Sequence, residues 1–156
     1  MIRRPPRSTQ GVSSAASDVY KRQVDLVRNA LNTQQKALNG SDILIAGVAY
    51  KKNVSDVRES PALDVMKLLE TDGARISFYD PHVPSLRFNG RNLRGLDNLN
   101  NDQVACADAV VILTDHDAID FELILSAAQL VVDTRNVYPH SKEPKLFRLG
   151  VGSIDN

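Results

Sequence analysis

Cysteine occurs once in these 156 residues, at Cys106, so an internal disulfide framework is excluded. Histidine occurs three times, and the scattered His82, His116 and His140 have no metal-ligand spacing with each other or with Cys106, so no metal centre is expected. No apolar run approaches the roughly 18 residues of a membrane span, and no membrane partner is expected. With a single cysteine, a cytoplasmic location is the expectation. Net charge is lacking too, being formally zero. That total hides an asymmetry. Five of the 19 basic residues but one of the 19 acidic ones fall in the first 23 positions, so the remainder carries 14 basic against 18 acidic residues. A nucleic-acid surface is therefore not expected, and a small ligand met by a local basic loop is. No G-x-G-x-x-G is present either, since Gly47 stands alone in the turn where that motif belongs.

What is present suits one domain: 42% of the residues are hydrophobic and 24% charged. The organising stretch is Ile43 to Pro61, I-L-I-A-G-V-A-Y-K-K-N-V-S-D-V-R-E-S-P. Ile43 to Val48 has the length and β-branched content of a strand buried on both faces of a parallel sheet. Ser60-Pro61 starts a helix, the hydroxyl as cap and the proline where no N–H is needed. The intervening loop is longer than the usual two to six or so residues and carries Lys51, Lys52, Asp56, Arg58 and Glu59. At the carboxyl end of a strand, over a helix N-terminus, such a loop reads as a phosphate or nucleotide site.

Met1 to Gln23 has no sustained periodicity and is rich in serine, arginine and proline. It reads as a disordered arm, a transit peptide or translated adaptor sequence joined to a truncated frame, and is set aside as a leader. Residues 24–40 then show Val24, Val27, Leu31 and Leu38 at helical spacing, with Asn39-Gly40 as the stop. The domain proper is expected over 41–156. Its helix from Pro61 to about Asp72, closed by Gly73, precedes a strand from Ala74 to Tyr79. Residues 83–102 read as an irregular connection with one short helix near Asn98, in which Arg87, Arg91 and Arg94 face either an anion or merely water, water being preferred. Strands follow at Ala109–Leu113 and Leu130–Asp133, with a helix between them marked by Ile119, Leu123 and Ile124. The fold class is α/β, a Rossmann-like, open, mainly parallel sheet with helices on both faces.

Every strand delivers polar residues to the same edge, so Lys51, Arg58, Thr114, His116 and Arg135 can line one crevice. Asp80, ending the second strand, either holds a ribose or caps a turn, and the turn is preferred. Cys106 reads as a small buried hydrophobe rather than a nucleophile.

In order and spacing, G-V-A-Y-K-K-N-V-S-D-V-R-E-S-P-A-L-D-V, G-A-R-I-S-F-Y-D-P, V-V-I-L-T-D-H and V-V-D-T-R-N resemble the carboxy-terminal, UDP-binding domain of the UDP-glucose/GDP-mannose dehydrogenase family. Thr114-Asp115-His116 and Asp133-Thr134-Arg135-Asn136 look most like the branch acting on UDP-N-acetyl-mannosamine or UDP-N-acetyl-glucosamine. The resemblance implies oxidation of a sugar C6 alcohol to a uronic acid by NAD, through cysteine-bound thiohemiacetal and thioester intermediates, in polysaccharide biosynthesis. By position, Tyr50, Lys51 and Arg135 are its substrate-binding residues and Arg58 the one reaching the NAD side of the cleft. The helix of residues 24–40 resembles the part that follows the family's interdomain connecting helix. The family's nucleophilic cysteine, Gly-rich NAD loop and catalytic lysine and aspartate have no counterparts here. No catalytic residue is therefore expected in this chain, NAD is expected to be bound mainly by an amino-terminal domain, and the chain alone is not expected to turn over. A homodimer and a UDP-sugar substrate are the expected partners. A free-standing nucleotide-binding or dimerisation module without catalysis is the alternative.

Overall fold

The first strand, β1 (Asp42–Ala46), is buried along both faces, as its unbroken apolar run requires. Ile43 and Ile45 enter one core, and Leu44 and Ala46 the other. The computed structural model describes residues 7–57, 60–139, 141 and 143–148. In order its elements are α1 (Arg7–Asn32), β1, α2 (Pro61–Thr71), β2 (Arg75–Tyr79), β3 (Ser85–Phe88), β4 (Arg91–Arg94), α3 (Asn101–Cys106), β5 (Ala109–Ile112), α4 (Phe121–Ala127), β6 (Val131–Asp133) and β7 (Leu146–Arg148). Five strands form one all-parallel sheet in the order β2-β1-β5-β6-β7, and β3 and β4 form a separate antiparallel hairpin.

One face of the sheet carries α1, α2 and the hairpin, through Val27, Leu31, Met66, Leu69, Phe78 and Phe88. The other carries α3 and α4, through Val104 and Ile124. The fold is thus the expected α/β, Rossmann-like sheet with helices on both faces.

Four departures from the sequence reading have local causes. Helix α1 begins at Arg7 rather than Val24, since after Pro6 its sequence holds no proline. It stops at Asn32, before the expected Asn39-Gly40. Gln35 adopts a left-handed conformation (φ 59°), and the N–H of Lys36 returns to the Leu31 carbonyl at 3.0 Å, which closes the helix without a glycine. Leu38 keeps helical spacing but packs into the core from a loop. Residues 85–94 are a hairpin, not an irregular connection. Asn89 and Gly90 both have positive φ (51° and 78°), as a two-residue hairpin turn of this hand needs, and Leu86 and Phe88 are buried. Strand β7 was not expected at all.

Candidate functional site

Because β1 connects onward to β2 on one side while β5 lies on its other side, the carboxyl ends of β1 and β5 form the topological switch point of the sheet. Gly47 makes their approach possible. It has φ 87°, and a Cβ there would lie 2.3 Å from the Thr114 carbonyl oxygen. The Thr114 hydroxyl donates to the Ala49 carbonyl at 2.9 Å, tying the first loop to the end of β5.

That loop, from Gly47 to Ser60, is held from several sides. Oδ2 of Asp80 accepts the N–H groups of Val48 and Ala49 at 2.8 and 3.2 Å. Ser60 caps α2, accepting from Ala62 N–H, while its hydroxyl donates to the Val48 carbonyl at 2.8 Å. The N–H of Tyr50 donates to the Asp56 carbonyl at 2.6 Å, closing the crest of the loop. Asn53, with φ 62°, exchanges hydrogen bonds with Asp117: its amide donates to Oδ2 at 2.9 Å, and its amide oxygen accepts the Asp117 N–H at 3.0 Å. Lys52 lies 3.4 Å from the same carboxylate. The Asn53 amide and then the Lys52 ammonium hold the Asp117 carboxyl below its ordinary value. Tyr50 and Lys51 are left exposed at the crest, and Lys51 has no ion pair among the described residues.

Arg135 comes from the end of β6. Buried Asp133 accepts the Arg135 and Tyr138 N–H groups at 2.9 and 3.1 Å, which fixes the turn. The guanidinium lies 3.7 Å from Asp115 and remains half exposed. Tyr50, Lys51, Thr114, Thr134 and Arg135 share one pocket with Pro61 and Ala62, the first residues of α2. Among the described residues no aspartate or glutamate lines it. The Thr114 and Thr134 hydroxyls donate inward to the Ala49 and Ile112 carbonyls, so the two cations, beside the positive end of α2, are what suits this surface to an anion. Gln23 of α1 closes one side, a residue that sequence reasoning set aside with the leader.

The expected crevice is therefore assembled in part. Lys51, Thr114 and Arg135 meet in it, joined by Tyr50. Arg58 lies outside the described residues. His116 does not line the crevice: it is fully buried and turned inward against Asp80. Asp80 cannot hold a ribose, because its side chain is buried and accepts from Val48, Ala49, His82 and His116. The preferred turn-capping role is what the His82 N–H to Oδ1 contact at 2.8 Å shows. Cys106 is exposed, not buried, since it falls at the last position of α3. Arg91 and Arg94 do not merely face water. Arg91 pairs with Glu70 and lies 5.3 Å over the Phe88 ring, and Arg94 pairs with Asp97 at 3.1 Å. Among the described residues no group of His, Cys, Asp or Glu is arranged to hold a metal, and no helix is long and apolar enough to cross a membrane.

The sheet order, the switch point and the polar loops over its carboxyl edge define an α/β domain of the Rossmann-like class. Residues 44–140 match the UDP-glucose/GDP-mannose dehydrogenase family, UDP binding domain, and the chain belongs to that family. Its relatives include a UDP-glucose 6-dehydrogenase of Rhizobium meliloti, 38% identical over 109 residues that make up 65% of this chain and 24% of the relative. A UDP-N-acetyl-D-mannosamine dehydrogenase of Methanococcus maripaludis is 37% identical over 107 residues, 64% of this chain and 23% of the relative. The solved UDP-D-ManNAc dehydrogenase of Pyrococcus horikoshii superposes with a TM-score of 0.66 at 28% identity, covering 85% of this chain and 31% of that one. The chain thus spans about a quarter of the length of the curated relatives it matches.

Proposed function

We propose that the chain is the substrate-nucleotide-binding part of an NAD-dependent UDP-sugar 6-dehydrogenase, acting on UDP-N-acetyl-mannosamine or UDP-N-acetyl-glucosamine to give the uronic acid. The observation that carries this reading is the meeting of Lys51 and Arg135 in one pocket beside the N-terminus of α2. Lys51 supplies a point charge for a pyrophosphate, Arg135 a planar fork for ribose or base oxygens, and Tyr50 a ring face at the rim. The pocket encloses about 50 Å³, against roughly 300–1,000 Å³ for a small-molecule site. It therefore works as one wall of a larger cleft, with Arg58 assigned to its NAD side. In this reading 41–156 is the UDP-binding unit and 24–40 follows the interdomain connection, while Gln23, continuous with them in α1, belongs to the pocket wall.

The residues present do not fit NAD. The close approach that Gly47 permits is taken by the Thr114 carbonyl, and the acidic side chain at the end of β2 is buried and fully engaged. We assign the NAD cradle and the nucleophilic cysteine to an amino-terminal domain, so this chain alone binds nucleotide without turnover. The complete enzyme is read as a cytoplasmic homodimer.

Calorimetric titration with UDP, a UDP-N-acetyl-sugar, GDP and NAD tests the reading. UDP and its sugar should bind, GDP and NAD should not, and Arg135→Ala should weaken UDP by about tenfold, the size of a charge-assisted hydrogen bond. Equal binding of GDP and UDP, or an indifferent Arg135→Ala, would overturn it.

A further inference from the structure

His116 is absorbed by no role so far, although it is fully buried and every ring nitrogen is used. Its Nε2 lies 2.8 Å from Oδ2 of Asp80. Its Nδ1 lies 2.7 Å from the backbone nitrogen of Asn53. A backbone N–H can only donate, so Nδ1 must be the acceptor. The Asp80 carboxylate takes N–H groups from Val48, Ala49 and His82, so it too is an acceptor, and Nε2 must carry the proton. The two contacts fix one tautomer, neutral with its hydrogen on Nε2.

The geometry points to His116 as the positioning residue of the loop that carries Tyr50 and Lys51. Its ring links the end of β2, through Asp80, to Asn53 at the crest of that loop. Asn53 needs the support, since it is a non-glycine residue at positive φ. The same Asp80 oxygen that receives Nε2–H also receives Val48 and Ala49, so both the base and the crest of the loop are referred to a single carboxylate. The other groups facing the ring are His82, edge-on at 4.7 Å, and Asp117 with Lys52 at 3.4 Å from it. A core histidine that merely filled space would need neither a defined tautomer nor an acceptor aimed at a loop N–H. The inference rests on the proposed function only in that the loop so held is the nucleotide loop.

The full chain, labelled with ¹⁵N, provides the test. In the unmodified protein a scalar coupling across Asn53 N–H···Nδ1 of His116 should be detectable, with ring shifts of the Nε2–H tautomer and slow exchange of the Asn53 amide. Its absence, or the opposite tautomer, would overturn the inference without any variant. Two substitutions then separate the ring's ends. His116→Asn keeps an oxygen near Nδ1 and should preserve Asn53 protection and UDP affinity to within a few-fold, whereas His116→Gln reaches only the Nε2 position and should speed Asn53 exchange and weaken UDP, each by about tenfold. Identical behaviour of the two variants would mark a plain packing role and sink the proposal. Should UDP fail to bind the unmodified chain while the Asn53 amide follows this pattern, the positioning role stands and the UDP reading falls. UDP binding unaltered in both variants would be the reverse.

Discussion

Gly47 and Thr114 face each other across the switch point so closely that a methyl group on residue 47 would lie 2.3 Å from the Thr114 carbonyl oxygen and 2.7 Å from its Cβ. Backbone and threonine Cβ cannot swing aside as a long side chain can. Residue 47 also has φ 87°, where an L side chain is strained. Gly47→Ala should therefore destabilise the fold by about 3 kcal/mol, strain and displaced backbone together. Gly90→Ala, also at positive φ but with open space around it, should cost about 1 kcal/mol. Urea midpoints of the two variants measure the difference, and equal losses would show that the approach of β1 to β5 carries no weight.

Asp80 is the acid on which four donors converge, three backbone N–H groups and His116. Asp80→Asn keeps the shape but puts an NH₂ group opposite groups that donate. Loss of a buried, charge-assisted acceptor should cost about 3 kcal/mol, whereas Asp97→Asn, at a surface pair with Arg94, should stay within about 0.5 kcal/mol. Denaturant unfolding checks both. A neutral Asp80→Asn would mean that the loop is held by its other contacts, Ser60, Thr114 and Asp117 among them.

The central sheet was legible because burial on both faces leaves a signature that needs no partner: Ile43 to Ala46, Ala109 to Ile112 and Val131 to Val132 are apolar runs where alternation would have been ambiguous. Lys51 and Arg135 were legible for a related reason, since strand ends of a parallel sheet must share an edge. What escaped depended on tertiary contact. The stop of α1 lies in a glutamine's left-handed conformation, which composition does not announce. The hairpin is signalled by Asn89-Gly90 directly after the alternating Leu86 and Phe88, but the asparagine, glycine and arginine content of 83–102 reads as an irregular connection. His116 and Asp80 belong to polar stretches at strand ends. Nothing in their spacing tells a side chain turned into the crevice from one turned beneath it.

Asp108 provides a pH dependence with a definite sign. Burial pushes its carboxyl up, but the Lys36 ammonium at 2.7 Å and the Asp42 N–H at 2.8 Å outweigh it, and the group is held below its ordinary 3.8. A carboxyl depressed in the folded state contributes stability that is complete above its ordinary value and is lost as pH falls through the folded one. Lys36→Met should thus lower stability by at most about 1 kcal/mol at pH 6, a pair this exposed being well screened, and the gap to the parent should be narrower at pH 3. Urea midpoints at the two pH values decide the matter. A gap that widens in acid would reverse the assigned sign.

Adjacent lysines on the first loop make the sharpest test of the pocket. Lys52 is already neutralised by Asp117 at 3.4 Å and lines no part of the pocket, whereas Lys51 lines it and has no ion pair among the described residues. Removing a charge from a polyanion's contact surface weakens binding in a salt-dependent way, and removing one that is internally paired does much less. Lys51→Met should weaken UDP by about tenfold at low salt and flatten the decline of affinity with salt, while Lys52→Met should change affinity by about twofold or less. Titrations at two ionic strengths read both quantities. Were Lys52→Met the more damaging substitution, the anion would have to sit over Asn53 and Asp117 rather than between Lys51 and Arg135, and the site would move to the far side of the loop.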